Sequence, residues 1–233
     1  MGEMGKIKFF VDFDGTITKK DVVDMILERF ADSAWRQIEQ KWQSGEIGSR
    51  ECLRRQIALV RADKKTFFEF LKTVQVDPGF PEFLKLTQRA EIPVAIASDG
   101  FREIIEAVLS TSLNGAKAFA DAIPIFSNLL DWSGDRLEAR FSAQTPCEHG
   151  CANCKVRVID AHSTAGEQVI FVGDGLSDRF AAQRADHVFA KGALLNYCTK
   201  NNIMCERYSG FEDVCRWIEK MKGETLVVRK RTS

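Results

Sequence analysis

The chain has 233 residues, enough to bury a substantial core as one domain carrying an insertion or as two small ones. Its 33 Lys and Arg balance 33 Asp and Glu, so no global field draws in nucleic acid or an anionic membrane, and neither is expected as a partner. No apolar run approaches the roughly 20 residues that span a bilayer, and the N-terminus shows no signal-peptide hydrophobic region, so the cytoplasm is the expected location.

The first element is the apolar run Ile7–Val11, read as a buried strand that ends in Asp12-Phe13-Asp14-Gly15-Thr16. A carboxylate can attack phosphorus to give an acyl phosphate, which makes Asp12 the candidate nucleophile. Residues i and i+2 of a strand share a face, so Asp14 is expected to reach the same substrate, protonate its leaving oxygen and then activate water. Asp-Gly after an apolar run is also ordinary turn chemistry, and the rest of the chain has to decide.

The next stretch, 18–76, is nearly free of Gly and Pro and reads as helices over 21–30, 33–43, 49–61 and 65–74. That is too much chain for a simple crossover, so we expect a helical cap at 18–76 inserted into a core formed by 1–17 and 77–233. Trp35, Trp42, Phe67, Phe68 and Phe70 are expected to pack these helices together. A second strand, 93–97, ends in Ser98-Asp99-Gly100, with a helix starting near Phe101. Alternation over 119–143, around Asp131-Trp132-Ser133-Gly134-Asp135, predicts an antiparallel hairpin at the sheet edge.

A loop then reads Cys147-Glu148-His149-Gly150-Cys151-Ala152-Asn153-Cys154. Cys147, His149, Cys151 and Cys154 could hold zinc, yet structural zinc sites usually combine two separated pairs. With seven Cys and no export signal, reduced thiols are the expected state and zinc the alternative. Lys155 follows directly and opens an apolar-periodic segment to His162. The third strand, 168–172, ends in Gly173-Asp174-Gly175-Leu176-Ser177-Asp178, and a fourth, His187–Ala190, precedes a final helix over 210–222 with Phe211, Val214, Trp217, Ile218 and Met221 on one stripe. The tail with Arg229, Lys230 and Arg231 reads as a solvated terminus. Strands alternating with amphipathic segments predict an α/β fold with a parallel sheet, in which the three polar clusters converge beyond the carboxyl ends of the strands. Ser98-Asp99 and Asp178 have a plainer alternative as helix caps.

In this order and spacing, Asp12-Phe13-Asp14-Gly15-Thr16, Ser98-Asp99, Lys155 and Gly173-Asp174-Gly175 with Ser177-Asp178, the chain resembles the haloacid dehalogenase superfamily of phosphatases. The helical insertion directly after the first motif is similar to the cap of its phosphoserine-phosphatase-like subgroup. The resemblance implies a Rossmann-like sheet, a magnesium ion and an aspartyl-phosphate intermediate. A phosphate monoester brings negative charge to a negative nucleophile, so Lys155 and Mg2+ are expected to offset the repulsion. Asp12 and Asp174 are the implied side-chain metal ligands, Asp14 adds its backbone carbonyl, and Asp178 is expected to orient the metal site. Ser98, with Asp99 and Gly100, is expected to bind the phosphate.

Dehalogenases and ion-pumping ATPases of the superfamily lack an acid at the position of Asp14, so hydrolysis of a small phosphorylated metabolite, or internal phosphate migration, is favoured. In closer detail the chain resembles the methionine-salvage phosphatases that act on 2-hydroxy-3-keto-5-methylthiopentenyl-1-phosphate, through Asp12 to Thr18 with Asp21, the Cys-rich loop before Lys155, and Phe189 to Leu195. Phosphoserine phosphatases usually place Glu where Asp21 stands and Asn near Ser177-Asp178. Asp21 and Arg55 are expected to face the substrate from the cap. A phosphatase for phosphoserine or another small metabolite, or a non-catalytic binding protein on the same fold, are the alternatives.

Overall fold

Alternation along β1 (Ile7–Val11) sets the architecture. Phe9 and Val11 belong to one buried cluster and Phe10 to another, so β1 is covered on both faces, as a central strand of a parallel sheet is. The computed structural model describes residues 6–113, 122–134 and 136–231. Its seven-stranded sheet runs β4-β3-β2-β1-β5-β6-β7, with β2 at Val94–Phe101, β3 at Ile125–Ser133, β4 at Arg136–Arg140, β5 at Gln168–Gly173, β6 at His187–Ala190 and β7 at Glu206–Arg207. Among the described residues, only the β3–β4 ladder of the sheet is antiparallel. The chain leaves β1 toward β2 and β3 and returns to β5 on the opposite side. Strand order therefore reverses beside β1, where α/β sheets open a ligand crevice.

The second strand is longer than its apolar run implies, because β2 continues through Ser98, Asp99 and Gly100 to Phe101. Its register against β3 slips between Ala97 and Phe101, an irregularity of the kind that re-aims side chains beside active sites. The expected edge hairpin is present with a difference: β3 is built into the main sheet parallel to β2, and β4 alone supplies the antiparallel edge. Positions 119–121 and Asp135 of that expectation lie outside the described residues. The two-residue β7 and the helix α5 (Phe80–Arg89) have no counterpart in the sequence reading.

The insertion folds as α1 (Val22–Phe30), α2 (Trp35–Gln43), α3 (Ser49–Ile57) and α4 (Lys64–Leu71). Asp21 accepts from the Asp24 amide at 2.9 Å and Asp63 from the Thr66 amide at 2.9 Å, which satisfies amides left free at the starts of α1 and α4. α3 stops four residues short of the expected end because the chain turns into short antiparallel bridges, Ala31 with Val60 and Arg61 with Arg136. Thr18 pairs antiparallel with Val76, so the segments entering and leaving the helices run side by side. Phe67 is fully buried and meets Trp132 of β3 edge-on with centroids 5.3 Å apart, while Phe68 stacks on the same ring.

The last helix spans Phe211–Arg231, longer than the expected 210–222. Phe211 packs against Phe80 and Phe83 at centroid distances of 4.9 and 5.0 Å. Fully burying a ring of this size contributes roughly 1.5–3 kcal/mol before entropy is counted, so the three rings fix this helix to α5. No helix among the described residues is long and apolar enough to cross a membrane.

Candidate active site

β1 delivers Asp12 to the switch point, and the chain leaves the strand immediately. The next five residues form a tight turn in which Asp14 is extended (φ −70°, ψ 124°) and Gly15 is left-handed (φ +70°). Asp14 thus reaches the site from a turn and not by strand alternation, which corrects the reasoning from i and i+2. Gly15 is required twice over: its φ disfavours a side chain, and an added Cβ would lie 2.3 Å from Asp174 Oδ2.

Lys155 begins the helix Lys155–His162 and is 3% exposed. Its ammonium donates to Asp12 Oδ1 at 2.6 Å and to Asp178 Oδ1 at 2.5 Å. Asp178 is fully buried, and its second oxygen accepts from the Asp174 and Gly175 amides at 3.0 and 3.1 Å. One oxygen thus takes the lysine and the other the loop after β5, and the side chain makes no cap hydrogen bond to the helix Arg179–Arg184 that it was expected to cap in the plainer alternative. Asp174 Oδ1 accepts the Thr16 hydroxyl at 2.9 Å, and the buried Tyr208 hydroxyl lies 3.5 Å from Thr16 Oγ1. One oxygen from each of Asp12, Asp174 and Asp178 falls within 4.8 Å of the others.

Asp14 Oδ1 accepts the Val22 amide of α1 at 3.0 Å and its Oδ2 accepts the Ser98 hydroxyl at 3.4 Å. Ser98 is fully buried and also accepts the Gly100 amide at 2.9 Å. Asp99 has its carboxylate engaged by the Ser49 hydroxyl of α3 at 2.7 Å and the Asn153 amide at 3.4 Å. An added Cβ on Gly100 would sit 2.7 Å from Asp14 Oδ2, so bare backbone is needed there.

A cleft of about 340 Å³ opens over these groups, with Asp12, Asp14, Asp99, Gly100 and Asp174 on its floor and Asp21, Asp24, Glu39, Trp42, Cys52 and Gln56 from the helical insertion among its walls. Asp21 lines the cleft, its carboxylate also taking the Asp24 amide, whereas Arg55 is exposed and paired with Glu51 at 2.6 Å, outside the lining. Trp42 lines the cleft instead of serving only as packing. His149 likewise departs from the four-ligand reading, because its ring stacks on Phe180 with centroids 3.7 Å apart while Cys147, Cys151 and Cys154 cluster without it. All seven cysteines are free thiols. Thr16 and Asn153 stood within the quoted motifs with no role of their own, and Glu39, Gln56 and Tyr208 went unmarked in the sequence, where each is an ordinary helix or core residue.

The electrostatics follow from burying many acids around one base. Burial, reinforced by Asp178, holds the Asp12 carboxyl well above the usual range despite Lys155, and burial with Asp178 pushes Asp174 up to about 7. Asp14 is raised as well, chiefly by burial and then by Asp21. Four carboxylates against one lysine leave negative charge that a hard divalent cation would offset, and an all-oxygen donor set suits magnesium. The residues present therefore fit such an ion.

A carboxyl whose folded pKa exceeds its unfolded value of about 3.9 binds more protons folded than unfolded between those values, so stability falls as pH rises through that window. For Asp174 the window runs to about 7. The protein in chelator is therefore expected to melt at lower temperature at pH 8 than at pH 5, by less in Asp174→Asn, and Mg2+ is expected to raise Tm more at pH 8. A chelated wild type and Asp174→Asn with the same pH slope would contradict this assignment.

The haloacid dehalogenase-like hydrolase family model matches residues 9–186. A Bacillus pumilus protein described as 2-hydroxy-3-keto-5-methylthiopentenyl-1-phosphate phosphatase is 26% identical over 226 residues, 95% of this chain and 95% of its own. Proteins of the same description from Brevibacillus brevis and Bacillus mycoides are 28% and 29% identical, over 95% and 89% of this chain and 99% and 94% of theirs. Among solved structures, a substrate-bound phosphoserine phosphatase superposes with a TM-score of 0.66 at 16% identity, covering 92% of this chain and 99% of its own. A phospho-aspartyl intermediate analogue of phosphoserine phosphatase gives 0.68 at 17%, covering 91% and 99%. These two establish the likeness of fold. With the family model covering most of the sequence, the chain belongs to the haloacid dehalogenase-like hydrolases, as a phosphoric monoester hydrolase.

Proposed function

We propose that the protein is a magnesium-dependent phosphatase for a small phosphorylated metabolite, with 2-hydroxy-3-keto-5-methylthiopentenyl-1-phosphate as its substrate. The buried pairing of Asp12 with Lys155, beside Asp14 and Asp174, carries the chemical part of this reading. Relatives carrying that substrate in their description align over nearly the full chain, which supports the finer part.

In this reading Lys155 keeps Asp12 oriented through Oδ1 while the other carboxylate oxygen attacks phosphorus, giving an aspartyl phosphate. Asp14, raised by burial and so protonated more readily than an ordinary carboxyl, hands its proton to the departing oxygen and then takes one from the attacking water. Asp12, Asp174 and the backbone carbonyl of Asp14 would hold Mg2+, with Asp178 orienting the Asp174 loop through its amides; the ion supplies charge to offset repulsion between phosphate and nucleophile. Asp99 and Gly100 form the phosphate side of the cleft, while Ser98, expected to meet the phosphate itself, is buried behind them outside the lining and acts through Asp14. Residues 18–76 serve as the cap that closes over the substrate and excludes water, with Asp21 facing it.

The test is inorganic phosphate release from a panel with and without Mg2+: the enol phosphate, phosphoserine, an aryl phosphate and a nucleoside monophosphate. We expect kcat/KM for the enol phosphate to exceed that for phosphoserine by about 100-fold, a difference of roughly 2.7 kcal/mol in transition-state binding. Preference for phosphoserine would overturn the substrate. Absence of release from every ester would overturn the activity and favour a binding protein.

A further inference from the structure

The segment between Arg140 and Lys155 has no regular secondary structure, yet its end must place Lys155 within 2.6 Å of Asp12. Connections of this length without structure of their own are uncommon in a folded domain and need something to fix them. Apolar packing supplies little, since only Ala152, Asn153 and Cys154 of the loop are buried. What the loop does contain is sulfur. A turn with Gly150 in the left-handed region (φ +64°) brings Cys151 back over Cys147, and Cys154 closes the group at the start of the Lys155 helix. Ligand atoms of the three cysteines lie within 4.8 Å of one another. Tetrahedral thiolates at a Zn–S distance of about 2.3 Å stand roughly 3.8 Å apart, so small rotations bring these sulfurs onto one ion. The Cys151 amide donates to Cys147 Sγ at 3.3 Å, the outer contact that a metal-bound thiolate commonly accepts.

We propose that Cys147, Cys151 and Cys154 bind a zinc ion, with a solvent molecule in the fourth position. Soft sulfur selects a thiophilic cation, whereas the carboxylates of the cleft select a hard one, so the two sites take different metals. Three sulfurs meeting at one point also suit an ion better than a disulfide, which would use two and strand the third. The ion clamps a loop that touches both halves of the site. Gly150 O accepts the Arg50 amide of α3 at 3.1 Å, and the Ala152 amide donates to Ser49 Oγ at 2.9 Å, the same hydroxyl that holds Asp99. On the core side, the Asn153 side-chain amide donates to the Ser98 and Phe126 carbonyls at 3.0 and 2.8 Å.

The experiment counts metal and needs no turnover, so its result stands apart from the phosphatase assignment. Protein purified under reductant and without chelator is analysed for zinc, then treated with a thiol-binding mercurial while released zinc is followed with a chromogenic chelator. We expect close to one zinc per chain, released by the mercurial, at least fivefold less zinc in Cys151→Ser, and full zinc in Cys205→Ser and Asp174→Asn. Zinc loading should also raise Tm in wild type and not in Cys151→Ser. Zinc retained by Cys151→Ser, zinc lost in Asp174→Asn, or no zinc in wild type after stoichiometric reconstitution under reductant would each overturn the site. So would a disulfide among these three cysteines in protein isolated with its thiols trapped.

Discussion

Asp12→Asn is expected to lower kcat by roughly 10⁴-fold or more on every ester that the wild type hydrolyses, a loss of the size seen when a covalent nucleophile is removed. The amide nearly matches the carboxylate in shape but cannot form the acyl phosphate. Folding should survive because Lys155 keeps its second partner, Asp178, at 2.5 Å, and because Asp12 is a carboxylate that burial already disfavours. A Tm equal to or above that of the wild type is therefore expected alongside the lost activity. Acid-quenching the wild type during turnover and mapping the phosphoryl adduct by mass spectrometry should place it on the peptide containing Asp12, with none in Asp12→Asn. Turnover by Asp12→Asn within about tenfold of wild type, or an adduct elsewhere, would assign the nucleophile to another residue.

The parts of this site that were legible in the sequence are those where local physics and chemistry coincide. Short apolar runs ending in Asp-Gly or Ser-Asp-Gly mark strand tips, and the carboxyl ends of parallel strands lie at one edge of the sheet, so Asp12, Asp99, Gly100 and Asp174 could be brought together without coordinates. Lys155 was legible only by its place between motifs, since nothing local distinguishes a lysine buried between two carboxylates from one in solvent. The route taken by Asp14 was misread, because a turn with one left-handed glycine places it and strand periodicity does not. The walls contributed by the helical insertion were largely illegible, and Arg55 shows why. On α3 the stripe Ser49, Cys52, Leu53 and Gln56 faces the cleft at helical spacing, and Arg55 lies about 100° around from Gln56. Sequence gives the period of such a helix and leaves its phase to tertiary packing.

Lys155→Met is the substitution expected to cost both activity and stability, and its two effects can be separated. In the wild type one ammonium faces Asp12 and Asp178, all three almost wholly buried, and these neighbours hold the Lys155 pKa above its ordinary value. Raised above the unfolded value of about 10.4, this group contributes its stability at every pH below that and loses it only as pH climbs through the folded value. Removing it strands two buried carboxylates, which typically costs about 3–5 kcal/mol. For a chain of this size that lowers Tm by roughly 6–20 °C. The loss should be largest near pH 8, where the Asp12 carboxyl that burial already raises would have to stay ionised without its lysine, and smaller near pH 5, where its uptake of a proton relieves the strain. Adding Asp178→Asn to Lys155→Met removes one of the stranded charges, so the double variant should regain part of the Tm at pH 8 while remaining inactive. If the double variant melted lower than Lys155→Met by the full cost of Asp178→Asn alone, the two residues would be energetically independent. The buried Asp12–Lys155–Asp178 cluster would then not be the unit that holds the nucleophile in place.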